Sequence, residues 1–274
     1  MRVVVAVAAL FVGCTTATTT PSSRDLGLPT RRLVVPATGL VAAWATLPLA
    51  EREVRALEQF DGGNVPTFLR RLVPVHLRAT VASGERTATV FVTPDYFGLG
   101  TDADWLRLPL TPQTAQRLAD RLDCVLPTRR LVDAIWQQAA VKVAPHPFSP
   151  REHDIIALPL FLAHHRAIEA ARGDADRAPL FAGHKKDVVI SPLLAEFTNR
   201  VIIYGWHRPD GRPIQPLWKG HTTGHVDYSH GIRFVARAML LDGEPTTIDA
   251  VLADPELHVL LSDEGVVASA RYRS

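Results

Sequence analysis

The residues best suited to chemistry gather between Gly183 and Val235, a stretch reading GHKKDVVI, then RVIIYGWH, then GHTTGHVDYSHGIRFV. Five of the eleven histidines lie there, His184, His207, His221, His225 and His230, beside Asp187, Asp227, Tyr204, Tyr228 and Ser229. Imidazole titrates near neutral pH and ligates metals, and a carboxylate either orients it or joins it as a ligand. The set therefore suits proton transfer or a metal ion.

If HVDYSHGIR is a strand, His225, Asp227 and Ser229 share one face, and Val226, Tyr228, His230 and Ile232 share the other. His230 then points with the apolar residues and needs a partner, because an unpaired buried imidazole is costly. The expected partner is Cys124, which stands ahead of a helix opening near Thr128. A helix N-terminus favours thiolate over thiol. In this reading Cys124 is the nucleophile, His230 the base, and Asp227, Asp187 or His184 orients the imidazole. Trp206, His207, Trp218 and Tyr228 supply the substrate surface, and no cofactor is needed. The alternative is zinc held by the His221 to His230 cluster, with His221, His225 and Asp227 as ligands. A third reading is a non-catalytic protein that binds glycan, peptide or a partner protein along the same strands.

The elements that must position these groups are partly legible. EREVRALEQF is a helix with Val54, Leu57 and Phe60 on one stripe, stopped by Asp61-Gly62-Gly63. Residues 72–92 alternate around a Ser-Gly-Glu turn, which predicts a hairpin. Asp95, Asp102 and Asp104 fall in what reads as a solvated loop. Thr111-Pro112 and Thr128 open two helices, with Leu131, Ile135 and Trp136 on the buried stripe of the second. Ser149 to Glu152 matches a capping box. Pro159 should interrupt the helix that follows, which resumes to Gly173 with His164 and His165 at its surface or rim. Strands follow at DVVI, RVIIYGW, PIQPLW and HVDYSHGIRFVARAMLL, and a last hairpin is expected around Asp263-Glu264-Gly265. This order predicts an α+β fold, with helices of the N-terminal half packed on a mainly antiparallel sheet from the C-terminal half.

With 274 residues and 47% hydrophobic content the chain can bury a full core. Its 30 basic and 28 acidic residues are spread along it, without the clustered positive face that nucleic acid requires. Residues 1–14, MRVVVAVAALFVGC, read as a secretory signal too short to span a bilayer. Residues 15–30 read as a Thr/Ser/Pro-rich tether, leaving 31–274 as a single domain. After export Cys124 would be the only remaining thiol, with no partner for an intramolecular disulfide.

Phe11-Val12-Gly13-Cys14 resembles the lipobox of bacterial lipoproteins, with phenylalanine where leucine is usual. The resemblance implies a lipidated Cys14, a membrane anchor and an outer-membrane protein facing the periplasm. Asp123-Cys124 and Gly224-His225-Val226 resemble the cysteine and histidine segments of the NlpC/P60 cell-wall peptidases, a papain-like group, although Val125-Leu126 replaces the usual Ser-Gly. That resemblance implies an amide hydrolase acting on cell-wall peptide, such as the peptidoglycan stem. Trp206-His207 resembles the Trp-His of zinc D-Ala-D-Ala peptidases.

Overall fold

Strand β1 (Arg24–Asp25) lies along a long hairpin, β2 (Arg71–Val81) with β3 (Gly84–Val92), in strict antiparallel register from Val73↔Val92 to Val81↔Gly84. The structure is a computed structural model and describes residues 24–273. Cys14 and the leader lie outside the described residues. Helices α1 (Ala37–Trp44) and α2 (Leu49–Asp61) precede the hairpin. After it come β4 (Gly98–Gly100), β5 (Trp105–Arg107), α3 (Pro112–Arg121), β6 (Cys124–Val125), α4 (Arg129–Gln138), β7 (Val141–Lys142) and α5 (Leu158–Arg172). The remainder holds β8 (Phe181–Ala182), β9 (Lys186–Val188), β10 (Ile203–His207), β11 (Pro213–Trp218), β12 (His230–Gly231), β13 (Val235–Ala236), β14 (Ala238–Leu241), β15 (Glu244–Thr247) and α6 (Ile248–Ala253).

The α+β class holds, but the larger sheet is not confined to one half of the chain. Its seven strands run β1-β2-β3-β13-β6, with β14 pairing both β3 and β15, so hairpin strands from the N-terminal half join strands from near the C-terminus. A second sheet, β11-β10-β9-β12, carries the histidine-rich stretch. In it β12 runs parallel to β9, pairing His230 with Lys186 and Gly231 with Asp187. The expected tether ends early: β1 is hydrogen-bonded to β2, and Leu26 and Leu28 are buried in the core.

Local chemistry explains several boundaries. The Thr111 and Thr128 hydroxyls accept from the Thr114 and Leu131 amides, capping donors that α3 and α4 would otherwise leave unpaired. Pro159 does not interrupt a helix. It sits in the first turn of α5, where no amide hydrogen is needed, and residues 149–157 form turns instead. The buried face of α5 is Leu158, Phe161, His164, His165 and Ile168, wide enough to take both adjacent histidines inward rather than leave them on the rim. The expected last hairpin is absent, because Leu257–Leu260 forms a 3₁₀ turn after α6 and residues 265–272 join no strand.

Candidate metal centre

The segment between β11 and β12 determines where the histidines go, and it is a folded loop, not a strand. Arg200 bridges Thr222, the Val201 amide donates to His221 O at 3.2 Å, and the Thr223 amide donates to Asn199 O at 3.1 Å. The His225 amide closes a turn onto Thr222 O, and the His230 amide closes another onto Asp227 O. Asp227 makes the second turn with its side chain as well. Its Oδ1 accepts from both the amide (2.7 Å) and the hydroxyl of Ser229, a side-chain turn that competes with strand pairing. Only His230 and Gly231 then enter the sheet. A Cβ on Gly231 would stand 2.6 Å from the Tyr96 ring, so the close seating of β12 requires glycine.

This curl cancels strand parity and brings together residues that alternation would separate. With Asp227 Oδ1 held by Ser229, Oδ2 faces two imidazoles: His225 Nε2 at 3.4 Å and His230 Nε2 at 3.7 Å. Ligand atoms from His225, Asp227 and His230 all lie within 4.8 Å of one another. A tetrahedral zinc with bonds of about 2.0–2.1 Å has ligand–ligand edges of about 3.3–3.4 Å, close to the two shorter separations. His230 is fully buried, and neither ring nitrogen has a hydrogen-bond partner among the described residues. His225 is partly open, its side chain 25% exposed. His221 stacks on the His225 ring at 4.0 Å and 14°, but its centroid is 6.5 Å from that of His230. The convergent triad is therefore His225, Asp227 and His230, with His230 in the place expected for His221.

Electrostatics prepare the triad for a cation. Burial alone would raise the Asp227 carboxyl, but His230, His225, Lys186 and Ser229 outweigh it and hold the group well below the usual carboxylate range. Burial pulls His230 down to about 4, partly opposed by Asp227, so the imidazole is neutral at pH 7 as a ligand must be.

The Cys124 and His230 pair does not form. Cys124 lies in β6, opposite Ala236, four residues before the α4 cap and outside the reach of that helix terminus. Asp123, at φ 50°, turns the chain into the strand, and the thiol donates to Leu122 O at 3.3 Å. The thiol is buried, and burial with neighbouring Asp123 pushes it up to about 12. Native Cys124 is expected to react with iodoacetamide at pH 7.5 on the order of 10³-fold slower than free cysteine, and at the ordinary rate in urea. Fast labelling of folded protein would restore the nucleophile reading.

The other expected site residues are dispersed. His184 bonds Asp95 Oδ1 through Nε2 at 3.1 Å and stacks on Phe181 at 4.2 Å. Burial pulls it to about 4 against the pull of Asp95. Asp187 accepts from the Tyr96 hydroxyl at 2.7 Å, and burial pushes it up to about 6 against Arg233 and Tyr96. His207 Nε2 stands 2.8 Å from Asp133 Oδ1, with its ring stacked on Trp136. Trp206 is buried beneath Lys186 Nζ, and the Tyr228 hydroxyl is used by the Phe148 amide at 2.7 Å. Of the four expected substrate contacts only Trp218 stays open, at 49% exposure.

The sequence reading missed a buried charge network. Asp95, placed in a solvated loop, is 3% exposed and takes Arg107 Nε at 3.0 Å and Nη2 at 2.6 Å. Arg107 Nη2 also reaches Glu169 at 2.7 Å, and His165 Nδ1 stands 3.2 Å from Nη1. The aromatic neighbours Tyr96 and Phe97, both buried, were the available signal that this loop turns inward. In comparisons with protein-family models, curated proteins and solved structures, nothing matches this chain.

Proposed function

We propose that this protein holds a divalent transition metal, zinc by its ligand chemistry, through His225, Asp227 and His230, and uses it to hydrolyse an amide bond. The observation that carries the reading is His230: buried, neutral, with no hydrogen-bond partner among the described residues, and aimed with His225 at one carboxylate oxygen. A lone buried imidazole of this kind is costly unless something satisfies it. Two imidazoles and a carboxylate suit zinc, and three protein ligands leave the fourth position for water or substrate, as catalytic rather than structural sites do. The partly exposed His225 marks the open side. Bound zinc would polarise a carbonyl and lower the pKa of its water, while Ser229, holding Asp227 Oδ1, fixes the carboxylate so that Oδ2 faces the metal position. The exported setting, with lipidated Cys14 and peptidoglycan stem peptide as substrate, rests on the leader alone.

Elemental analysis of protein purified without added metal is expected to find about one zinc per chain, and His225→Ala and Asp227→Asn to retain about a tenth or less. Chelation should lower Tm by roughly 5–10 °C, the shift expected for a site about 100-fold saturated in a domain of this size. Amide hydrolysis should disappear with the metal and return with zinc. Failure to bind either zinc or cobalt, with Tm unmoved by both, would overturn the proposal.

A further inference from the structure

The triad loop shares its backbone with an open groove of about 610 Å³. Its walls are Leu193, Phe197, Leu217 and Trp218, and its cations are Arg200 and Lys219. Gly220 closes one edge. It precedes His221, whose ring stacks on the triad member His225. Consecutive Cα atoms are about 3.8 Å apart, so the groove ends about one residue length from His221.

The groove is built rather than incidental. Trp218 is half exposed, yet its indole presses on the backbone: a Cβ at Gly220 would stand 2.2 Å from the ring. Arg200 Nη1 donates to Gly220 O at 3.1 Å, fixing one guanidinium at the edge. Lys219 Nζ sits 3.6 Å from the Phe197 ring centroid. Neither cation has a carboxylate within ion-pair distance among the described residues, and no acidic residue lines the groove. Aromatic and aliphatic walls beside two cations without anionic partners complement an apolar group that carries a negative charge.

We infer that this groove is the recognition subsite of the metal centre, and that it takes a peptide whose free C-terminal carboxylate faces Lys219 and Arg200 while the adjoining apolar side chain lies against Trp218. The inference rests on the metal-dependent amide hydrolase reading for what the bound segment is. The groove itself supplies no metal ligand, so binding in it is measurable with or without zinc.

The test uses the full chain, zinc-loaded and zinc-free, titrated with N-acetyl-Gly-Ala-Phe, with the C-terminal amide of the same peptide, and with laurate, following quenching of tryptophan fluorescence. The free acid is expected to bind both protein forms at least about tenfold tighter than the amide. Lys219→Glu and Trp218→Ala should each weaken it about tenfold or more, with the zinc content unchanged. Equal binding of acid and amide, or no binding by a protein that retains zinc, overturns the subsite and leaves the metal reading standing. Tighter binding of laurate than of peptide, weakened by Lys219→Glu, also overturns it and makes the groove an acyl-chain site. A protein that binds the acid but never holds zinc overturns the metal reading instead.

Discussion

Acidification from pH 7 to pH 5 is expected to destabilise the metal-free protein before most of its carboxylates titrate. Three histidines outside the triad are folded in neutral form. Burial pulls His164 far below its ordinary value, with Lys185 and other nearby cations adding to it. It pulls His165 to about 2, helped by Arg107, and His184 to about 4, against Asp95. In the unfolded chain each takes up a proton near pH 6.5. Between the folded and unfolded pKa values the unfolded state therefore binds more protons, and stability falls as pH falls through that window. Three such groups give a slope of about 2 kcal/mol per pH unit at 6.5 that approaches about 4 kcal/mol per unit by pH 5.5. Asp187 has the opposite sign: its folded carboxyl, raised to about 6, takes up a proton earlier than the unfolded one and reduces the slope to about 3 kcal/mol per unit below pH 6. Integrated from pH 7 to pH 5 the loss is about 4 kcal/mol, a large share of the 5–15 kcal/mol that holds a typical domain. Urea denaturation of chelated protein at half-unit steps from pH 7.5 to 5 reads the slope. His164→Phe should flatten it by one proton, because neither ring nitrogen of His164 has a hydrogen-bond partner among the described residues and its neighbours Phe148 and Tyr228 are aromatic. A pH-independent denaturation midpoint over this range would show that these rings titrate normally.

What the sequence revealed and concealed divides along the range of the interactions. The 71–92 hairpin, the threonine caps of α3 and α4 and the turn between β10 and β11 are set by neighbours a few residues apart, and all were legible. His225 and His230 were placed on opposite faces because HVDYSHGIR alternates. Alternation specifies a strand only where a partner strand pairs with it, and here just two residues find one. The Asp227 side chain decided the matter by capturing the Ser229 amide. His164 and His165 were placed at the surface or rim of their helix, whereas the buried stripe of α5 covers both. The burial of Cys124 depends on pairing with Ala236, over a hundred residues away, and no local signal encodes that. The metal triad was visible as residue types in one segment. Which three converge was fixed by turn chemistry.

Asp95→Ala is expected to destabilise the protein by about 4 kcal/mol, within the range for removing one partner of a buried ion pair. Arg107 is 1% exposed, and its guanidinium meets Asp95 through two nitrogens and Glu169 through one. Burial alone would raise the Asp95 carboxyl, yet Arg107 and His184 together hold it well below the ordinary range, so the charge is present whenever the protein is folded near neutrality. Removing it strands the His184 ring and the Tyr96 amide as well, since both bond the same Oδ1. Glu169 cannot take over fully. It is already shared with Arg172 and Arg177, and these cations with Arg107 hold it at about 2 against its burial. Glu169→Gln, at a rim position with 18% exposure, should cost only about 1–2 kcal/mol. The double change of Asp95→Ala with Arg107→Met removes both charges and should recover more than half of the single loss, because the penalty lies in the uncompensated cation rather than in the absent bond. Chemical denaturation at pH 7.5 of the wild type, Asp95→Ala, Arg107→Met and the double variant closes the cycle. If the double variant is instead less stable than Asp95→Ala by the full cost of losing Arg107 alone, the two residues act independently and the network is not the unit that holds β5 to α5.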